Sequence, residues 1–496
     1  MSGRHVSLVA TVLVLVIVIV IGSPASAFSL RPEVPRGWAP FPHGPVPLSG
    51  VVAVGRPAHA VPVAGAAILT SNVTLLPLLT EHRVTNTPGA QNEVSIAVNP
   101  RNGRNLVASA NDYRQGDAWC GVYSTSDGGK SWLEQLVPRS GALGVVTVSG
   151  DPSVTFDGDG NAYIACLGFS RSTSDNVVAV SKSVDGGRTW GTPTLVADTT
   201  PNVFHDKPYI AADMSPGPWR GNVYVTWTRY LSDSSGNYIE SPIYFSRSID
   251  GGLTWSPERD ITGTGFKYDQ GSQPAVGPWS ELYVSWVSYG GGERVVLAKS
   301  TDGGSTWGPT WVVNGLTDPG ALYPSPGPRT PHFPSIAVNP LNGTLGNRVH
   351  IVWADRRYGD ADILLATSSN GGSAWGPPLR VNDDVSGKAQ FFPWVATTSN
   401  GYVFVSFYDR RDDPNDRFLT DYVAMSRDFG GSIAWNLRAS AQFDPGTWFI
   451  GDYNGLTAFG AFPYPVWCDL RNGGDEEVYM AGPLIISRDM VTAIHP

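Results

Sequence analysis

The chain has 496 residues, with 34 Lys or Arg against 43 Asp or Glu, for a formal net charge of −9. That balance excludes the basic footprint of a nucleic-acid binder, and 41% hydrophobic with 11% aromatic residues excludes a largely disordered chain. The 57 Gly and 40 Pro punctuate it as short strands joined by turns, and its length calls for two domains or one repeat architecture.

Residues 1–27 read as a secretory signal. Arg4 and His5 precede an apolar run from Val6 to Ile21, followed by Pro24 and Ala25-Ser26-Ala27. This layout predicts cleavage before Phe28; if retained, the run would act as an N-terminal anchor. Either way the bulk of the chain is expected outside the cytoplasm, with no later span. Residues 28–70 are rich in Pro, Gly, Val and Ala and read as an extension or linker. Cys120, Cys166 and Cys468 allow one disulfide, leave one thiol over, and fit no metal motif.

From residue 71 to 487 the chain repeats with a period of roughly sixty residues. One turn recurs as Thr125-Ser-Asp127-Gly-Gly129-Lys-Ser131-Trp132, with copies beginning at Ser183, Ser248 and Ser300 and looser copies at Ser368 and Ser426. An Asp carboxylate accepts backbone N–H groups across a tight turn, Gly supplies positive φ, and Trp buries a large ring. Each turn is therefore expected to join strands three and four of a four-stranded unit. Strand two ends in an aromatic, as in Val223 to Trp227 and Leu282 to Trp286. Strand one aligns at Val94, Pro152, Pro208, Pro274, Pro334, Pro393 and Tyr453. The seventh unit lacks a turn motif and a fourth strand, and Val73 to Leu79 resembles the fourth strands elsewhere. The expected fold is an all-β, seven-bladed β-propeller closed by that N-terminal strand, with six blades as the alternative, and residues 488–496 form a tail.

The repeated turns resemble the Asp-boxes of the sialidase superfamily, over roughly residues 71–485. Asn92 to Pro100 and Phe449 to Leu456 resemble secreted proteins of the exo-α-sialidase-like group. The resemblance implies a glycoside hydrolase with an arginine cluster for a substrate carboxylate and a Tyr nucleophile activated by a carboxylate. The sequence departs from that pattern in lacking an Arg-Ile-Pro (Pro35-Arg36-Gly37 is not equivalent) and in counting seven units where sialidases usually have six.

In a propeller, the loops between strands two and three share one face with the inter-blade crossings, around the mouth of the central channel. The strand-two exits repeat Asp-x-Arg at Asp112/Arg114, Asp355/Arg357, Asp409/Arg411 and Asp469/Arg471. These arginines either grip a carboxylate or sulfate or pin each loop to its own Asp. Arg356 and Arg410 are not in every copy and are freer to serve a ligand. At the entry to strand one the aligned residues are Glu93, Asp151, Lys207, Gln273, Phe333, Phe392 and Asp452. Ionisable groups near an axis repel or pair, which shifts their pKa values.

On the functional reading, Glu93 or Asp151 is the acid/base and Lys207 holds an anion with the arginines. Tyr453 is then the nucleophile, with Glu93 as its partner. On the other reading these are a hydrated ring of structural charges. His205-Asp206-Lys207 lies on the same face, and with His332 offers a group titrating near neutrality. Asp157-Gly-Asp159-Gly-Asn161 resembles the start of a calcium loop, but Gly168 stands where the bidentate Glu belongs, so it reads as a turn. Two functions are expected in the alternative: a secreted sialidase-like glycoside hydrolase acting on an anionic glycan, needing no cofactor or metal, or a non-catalytic propeller binding a glycan or protein. Asn72 and Asn342 begin glycosylation-type sequons.

Overall fold

The computed structural model describes residues 79–483 apart from 325–326, 342–345 and 447–448. The expected signal, the 28–70 extension, both sequons and the 488–496 tail lie outside the described residues. Among the described residues the chain is all-β but for a 3-10 turn at Gly141–Val145, and no helix is long and apolar enough to cross a membrane.

The strands form seven separate antiparallel sheets, and six of them are meanders in chain order. The first blade runs Gln91–Asn99, Asn102–Asp112, Trp119–Thr125, Leu133–Leu136. The next five inner strands are Val148–Phe156, Val203–Ala212, Asp269–Val276, Ser335–Val338 and Gln390–Thr397. The third blade carries a fifth strand, Tyr238–Glu240, paired to Val223–Ser232. The seventh blade takes Gly455–Phe459, Phe462–Asp469 and Glu477–Pro483 from the C-terminal end and Leu79–Arg83 from the N-terminal end. Seven blades displace the six-bladed alternative. The closing strand also runs on past Leu79, where the sequence reading ended it: the paired residues are Leu79↔Pro483 through Arg83↔Tyr479, and 73–78 lie outside the described residues. An outer strand faces solvent on one side, so the half-buried Leu-Thr-Glu-His-Arg serves without apolar alternation.

The six turn motifs do the same work in each blade. The Ser or Thr hydroxyl donates to the Asp or Asn carboxyl or amide oxygen, as Ser248 to Asp250 (2.7 Å), and accepts the N–H of the second Gly, as Gly252 (2.8 Å). Asp250 also accepts the N–H of Leu253 and Thr254. Slight burial raises its pKa, but hydrogen bonds from Thr254 and Ser248 outweigh this and hold it at about 2.

The second Gly spaces the blades. A Cβ at Gly187 would meet Val107, at Gly252 Tyr163, at Gly304 Phe245, at Gly372 Leu297 and at Gly430 His350, each on the preceding blade. At Gly129 it would meet Met480 of the seventh blade, so the first turn motif packs across the ring closure. The sheets stack face to face through buried side chains that include Trp119, Trp227, Trp286, Trp353 and Trp467. A disulfide joins Cys120 of the first blade to Cys166 of the second; Cys468 is buried outside it.

The spacing role makes a paired prediction. Gly304→Ala must displace the Phe245 ring, which is hemmed in by Tyr224 and Trp307, and should cost about 2–4 kcal/mol in denaturant unfolding. Gly128→Ala has an equally positive φ of 81 but open space around it, and should cost only about 1–2 kcal/mol.

Candidate functional site

The channel mouth is built by one backbone device. In five blades the inner strand slips register by one residue: between Asn92 and Ser95, Gly150 and Ser153, Asp206 and Tyr209, Gln270 and Gln273, and Phe391 and Trp394. Each bulge leaves two residues unpaired. The first takes the left-handed conformation: Glu93 (φ 55), Asp151 (φ 49), Lys207 (φ 50), Gly271 (φ 73) and Phe392 (φ 54). The second is Pro152, Pro208 or Pro393 in three blades, where a missing N–H costs no ladder bond. A non-glycine residue in this region is strained by about 1–3 kcal/mol, and here the strain recurs at one register position. The equivalent of Glu93 in the fourth blade is therefore Gly271. Gln273, aligned there by its following Pro, matches Ser95 instead, and its side-chain oxygen accepts the N–H of Ile336 (2.8 Å).

The ionisable side chains of this ring meet. Lys207 Nζ lies 2.6 Å from Asp452 Oδ2 and 3.3 Å from Glu93 Oε1, with all three side chains fully buried. Asn111, on the second strand of the first blade, donates to Glu93 Oε2 (2.7 Å) and accepts the N–H of Asp151 (2.7 Å). Asn111 thereby bridges the two acidic residues. Arg329 closes the cluster from outside, with Nε and an Nη each 2.6 Å from an Asp452 oxygen. Its side chain is 26% exposed, making it the solvent-facing end of a chain that runs through Asp452 and Lys207 to Glu93 and Asp151.

Burial and neighbours set the direction of each shift. Burial pushes the Glu93 carboxyl well above the usual range, and the neighbouring Asp151 charge adds to this against Lys207. Burial raises Asp151 too, with Lys207 opposing it. Burial would raise Asp452 as well, yet Arg329 and Lys207 hold it below the ordinary value. Lys207 is raised despite burial, chiefly by Asp452 and then Glu93. Tyr453 is 5% exposed and packs with Tyr209 and Trp394, at ring-centroid distances of 5.5 and 6.4 Å. Burial, then Glu93 and Asp151, push its phenol well above the usual value, so it is not a ready phenolate.

The remaining candidates separate cleanly. Arg114, Arg357, Arg411 and Arg471 each pair with the Asp two residues earlier, at 2.6 Å for Asp112, 2.6 Å for Asp355 and 2.7 Å for Asp409, with Asp469 likewise. Each of the four Asp residues also accepts its arginine's own N–H. Further partners are Glu134, Asn314, Asp383 and Glu81. In this structure these four arginines hold their loops to their own aspartates. His205 is buried: its Nδ1 accepts from Trp227 (2.9 Å), Nε2 meets the Asp198 carbonyl (3.1 Å), and burial drags its pKa down to about 4. Asp206 is buried beside Gln270 at 3.5 Å. Asp157 binds the N–H groups of Asp159 and Asn161, as a turn should.

Arg356 and Arg410 do meet, lining an open cavity of about 290 Å³ with Leu322, Asp360 and Asp416. Arg410 pairs with Asp416 (3.1 Å), donates to the Leu322 carbonyl (2.8 Å) and stacks on Tyr323.

Sequence reasoning missed Arg329 and Asn111. The signal for Arg329 was the long crossing from Trp311–Gly315 to Ser335–Val338. Two substitutions test the electrostatics. Asp452→Asn leaves Lys207 and Arg329 without their shared counter-charge and should cost about 3–5 kcal/mol in denaturant unfolding at neutral pH. Glu93 has a raised folded pKa, so its contribution is complete below the unfolded value and is lost as pH rises through the folded one. Glu93→Gln removes that titration, and its Tm should lack the part of the wild-type decline that sets in as pH rises above the ordinary carboxylate range.

No family model matches the chain. A sialidase of Micromonospora viridifaciens is 30% identical over 215 residues, covering 39% of this chain and 32% of that protein. The chain thus spans about a third of the length of the curated relative it matches. Among solved structures, a protein of unknown function from Dyadobacter fermentans is 14% identical over 81% of this chain and 97% of that one, with a TM-score of 0.47. The intramolecular trans-sialidase of Ruminococcus gnavus is 13% identical over 68% and 95%, with a TM-score of 0.44. The sequence match is a distant, low-identity relationship to a sialidase, carried on a seven-bladed propeller.

Proposed function

We propose that the chain is an extracytoplasmic, sialidase-like glycoside hydrolase acting on an anionic glycan. Tyr453 is the nucleophile and the Glu93–Asp151 pair its proton acceptor. The carrying observation is the buried arrangement in which Asn111 bridges Glu93 and Asp151 while Lys207 reaches Glu93. A phenol held above its usual pKa attacks only as its proton departs, and Glu93 and Asp151 are the charged groups that weigh most on Tyr453. Arg329, at the solvent end, supplies positive charge for the anionic group. The distant relationship to a sialidase supports the substrate class.

A second reading rests on burial. Glu93, Asp151 and Lys207 are 0% exposed, so the hub is then a structural ring and a ligand binds without turnover in the cavity of Arg356 and Arg410.

Release from a fluorogenic sialoside by the purified protein separates the two. The first reading expects turnover that falls about 10²–10⁴-fold in Tyr453→Phe and in Glu93→Gln, at unchanged Tm for Tyr453→Phe. Wild-type protein that releases nothing above background, yet binds a glycan and loses that binding in Arg356→Ala, would establish the second.

A further inference from the structure

A second polar cluster lies on the same face, outside the hub. Glu293 sits between strands two (Leu282–Ser288) and three (Arg294–Ser300) of the fourth blade. Asp318 and His332 lie on the crossing into the fifth. One donor atom from each falls within 4.8 Å of the other two, with His332 Nε2 3.3 Å from Glu293 Oε2 and Nδ1 3.6 Å from Asp318 Oδ1. The Glu293 and His332 side chains are each 10% exposed. Both carboxylate oxygens of Glu293 and Nε2 of His332 are buried without a hydrogen-bond partner. The Tyr289 ring packs edge-on against His332 at 5.9 Å, and its hydroxyl is another buried atom without a partner.

Leaving a carboxylate buried and unbonded is costly. Burial alone therefore does not account for this geometry. Two carboxylates and a neutral imidazole sum to two negative charges, which one divalent cation cancels. Two metal–ligand bonds of about 2.0–2.2 Å span nearly the separation the donors already have, so small side-chain rotations complete the site.

We propose that Glu293, Asp318 and His332 bind one divalent cation of the zinc–manganese class, for which a mixed imidazole and carboxylate set is suited. The ion fastens the crossing to the fourth blade. That crossing delivers Arg329 to Asp452 and supplies Pro319, Ala321 and Leu322 to the wall of the cavity. The inference is independent of whether the hub is catalytic.

The test uses the full secreted chain, stripped with chelator and titrated with Zn²⁺, Mn²⁺ and Ca²⁺ separately by calorimetry. The expected result is one equivalent of Zn²⁺ or Mn²⁺ per chain, with a rise in Tm on binding. Glu293→Gln and His332→Gln should each weaken binding at least about 10-fold. Should either variant fold poorly, X-ray absorption of the Zn²⁺-loaded wild type decides: one imidazole nitrogen with carboxylate oxygens is expected. Absence of stoichiometric binding, binding unaffected by both variants, a preference for Ca²⁺, or a shell without imidazole would each overturn the assignment.

Discussion

The structure depends on five residues. Leu79–Arg83 pairs with Glu477–Pro483 and supplies the outer strand of a blade whose other three strands come from the opposite end of the chain. A propeller has no central core; each sheet is stable because its faces are covered by two neighbours, and that condition is met everywhere only when the circle is complete. Packing across the closure adds to the strand pairing. Gly129 of the first turn motif lies against Met480 of the seventh blade, so the same spacer used between other blades also spans the join between the chain ends. Six motifs serve six of the seven junctions. At the junction of the sixth and seventh blades, which lacks a motif, Phe391, Phe392, Phe404, Tyr408, Trp467 and Tyr479 belong to one aromatic-rich cluster. Where the backbone spacer is absent, large rings fill the gap.

Closure also creates the electrostatic problem at the hub. Seven inner strands converge, and the recurring bulge places successive unpaired residues where they meet. Glu93, Asp151 and Lys207 occupy left-handed backbone positions that glycine would fill at lower cost. Apolar Phe392 fills the corresponding place in the sixth blade. The charged residues are therefore not forced by the backbone. Their cost is offset because each finds a partner: Asp452 takes two cations, Lys207 takes two carboxylates, and Glu93 accepts from Asn111. Residues of three blades thereby meet in one cluster that ties those blades together.

Much of the fold was legible because it is written in repeated local chemistry. Ser-x-Asp-x-Gly turns and strands ending in Trp need no knowledge of distant contacts, and the seven first strands aligned beside six such turns gave seven blades with the hub ring of Glu93, Asp151, Lys207 and Asp452. The errors share one physical source. An inner-strand bulge adds a residue without altering composition, so alignment on Pro274 selected Gln273 and passed over Gly271, which has no side chain to notice. The Asp-x-Arg repeats were visible, but only geometry could decide between a ligand clamp and a loop pin; each Asp accepts the backbone N–H of its own Arg, which fixes the pin. Arg329 and Asn111 occur in no repeat, so nothing in the periodic signal could mark them.

The crossing from the fourth to the fifth blade joins these features. It breaks the repeat, and it alone contributes to all three polar features on this face. Arg329 caps the hub through Asp452, Leu322 accepts from Arg410 at the cavity, and Asp318 and His332 face Glu293. Tyr289 lies between two of them: after burial, its phenol is raised by Glu293, Asp318 and then Asp452. In a ring built from similar blades, this long crossing carries side chains to the hub, the cavity and the cluster without altering the strands that hold them.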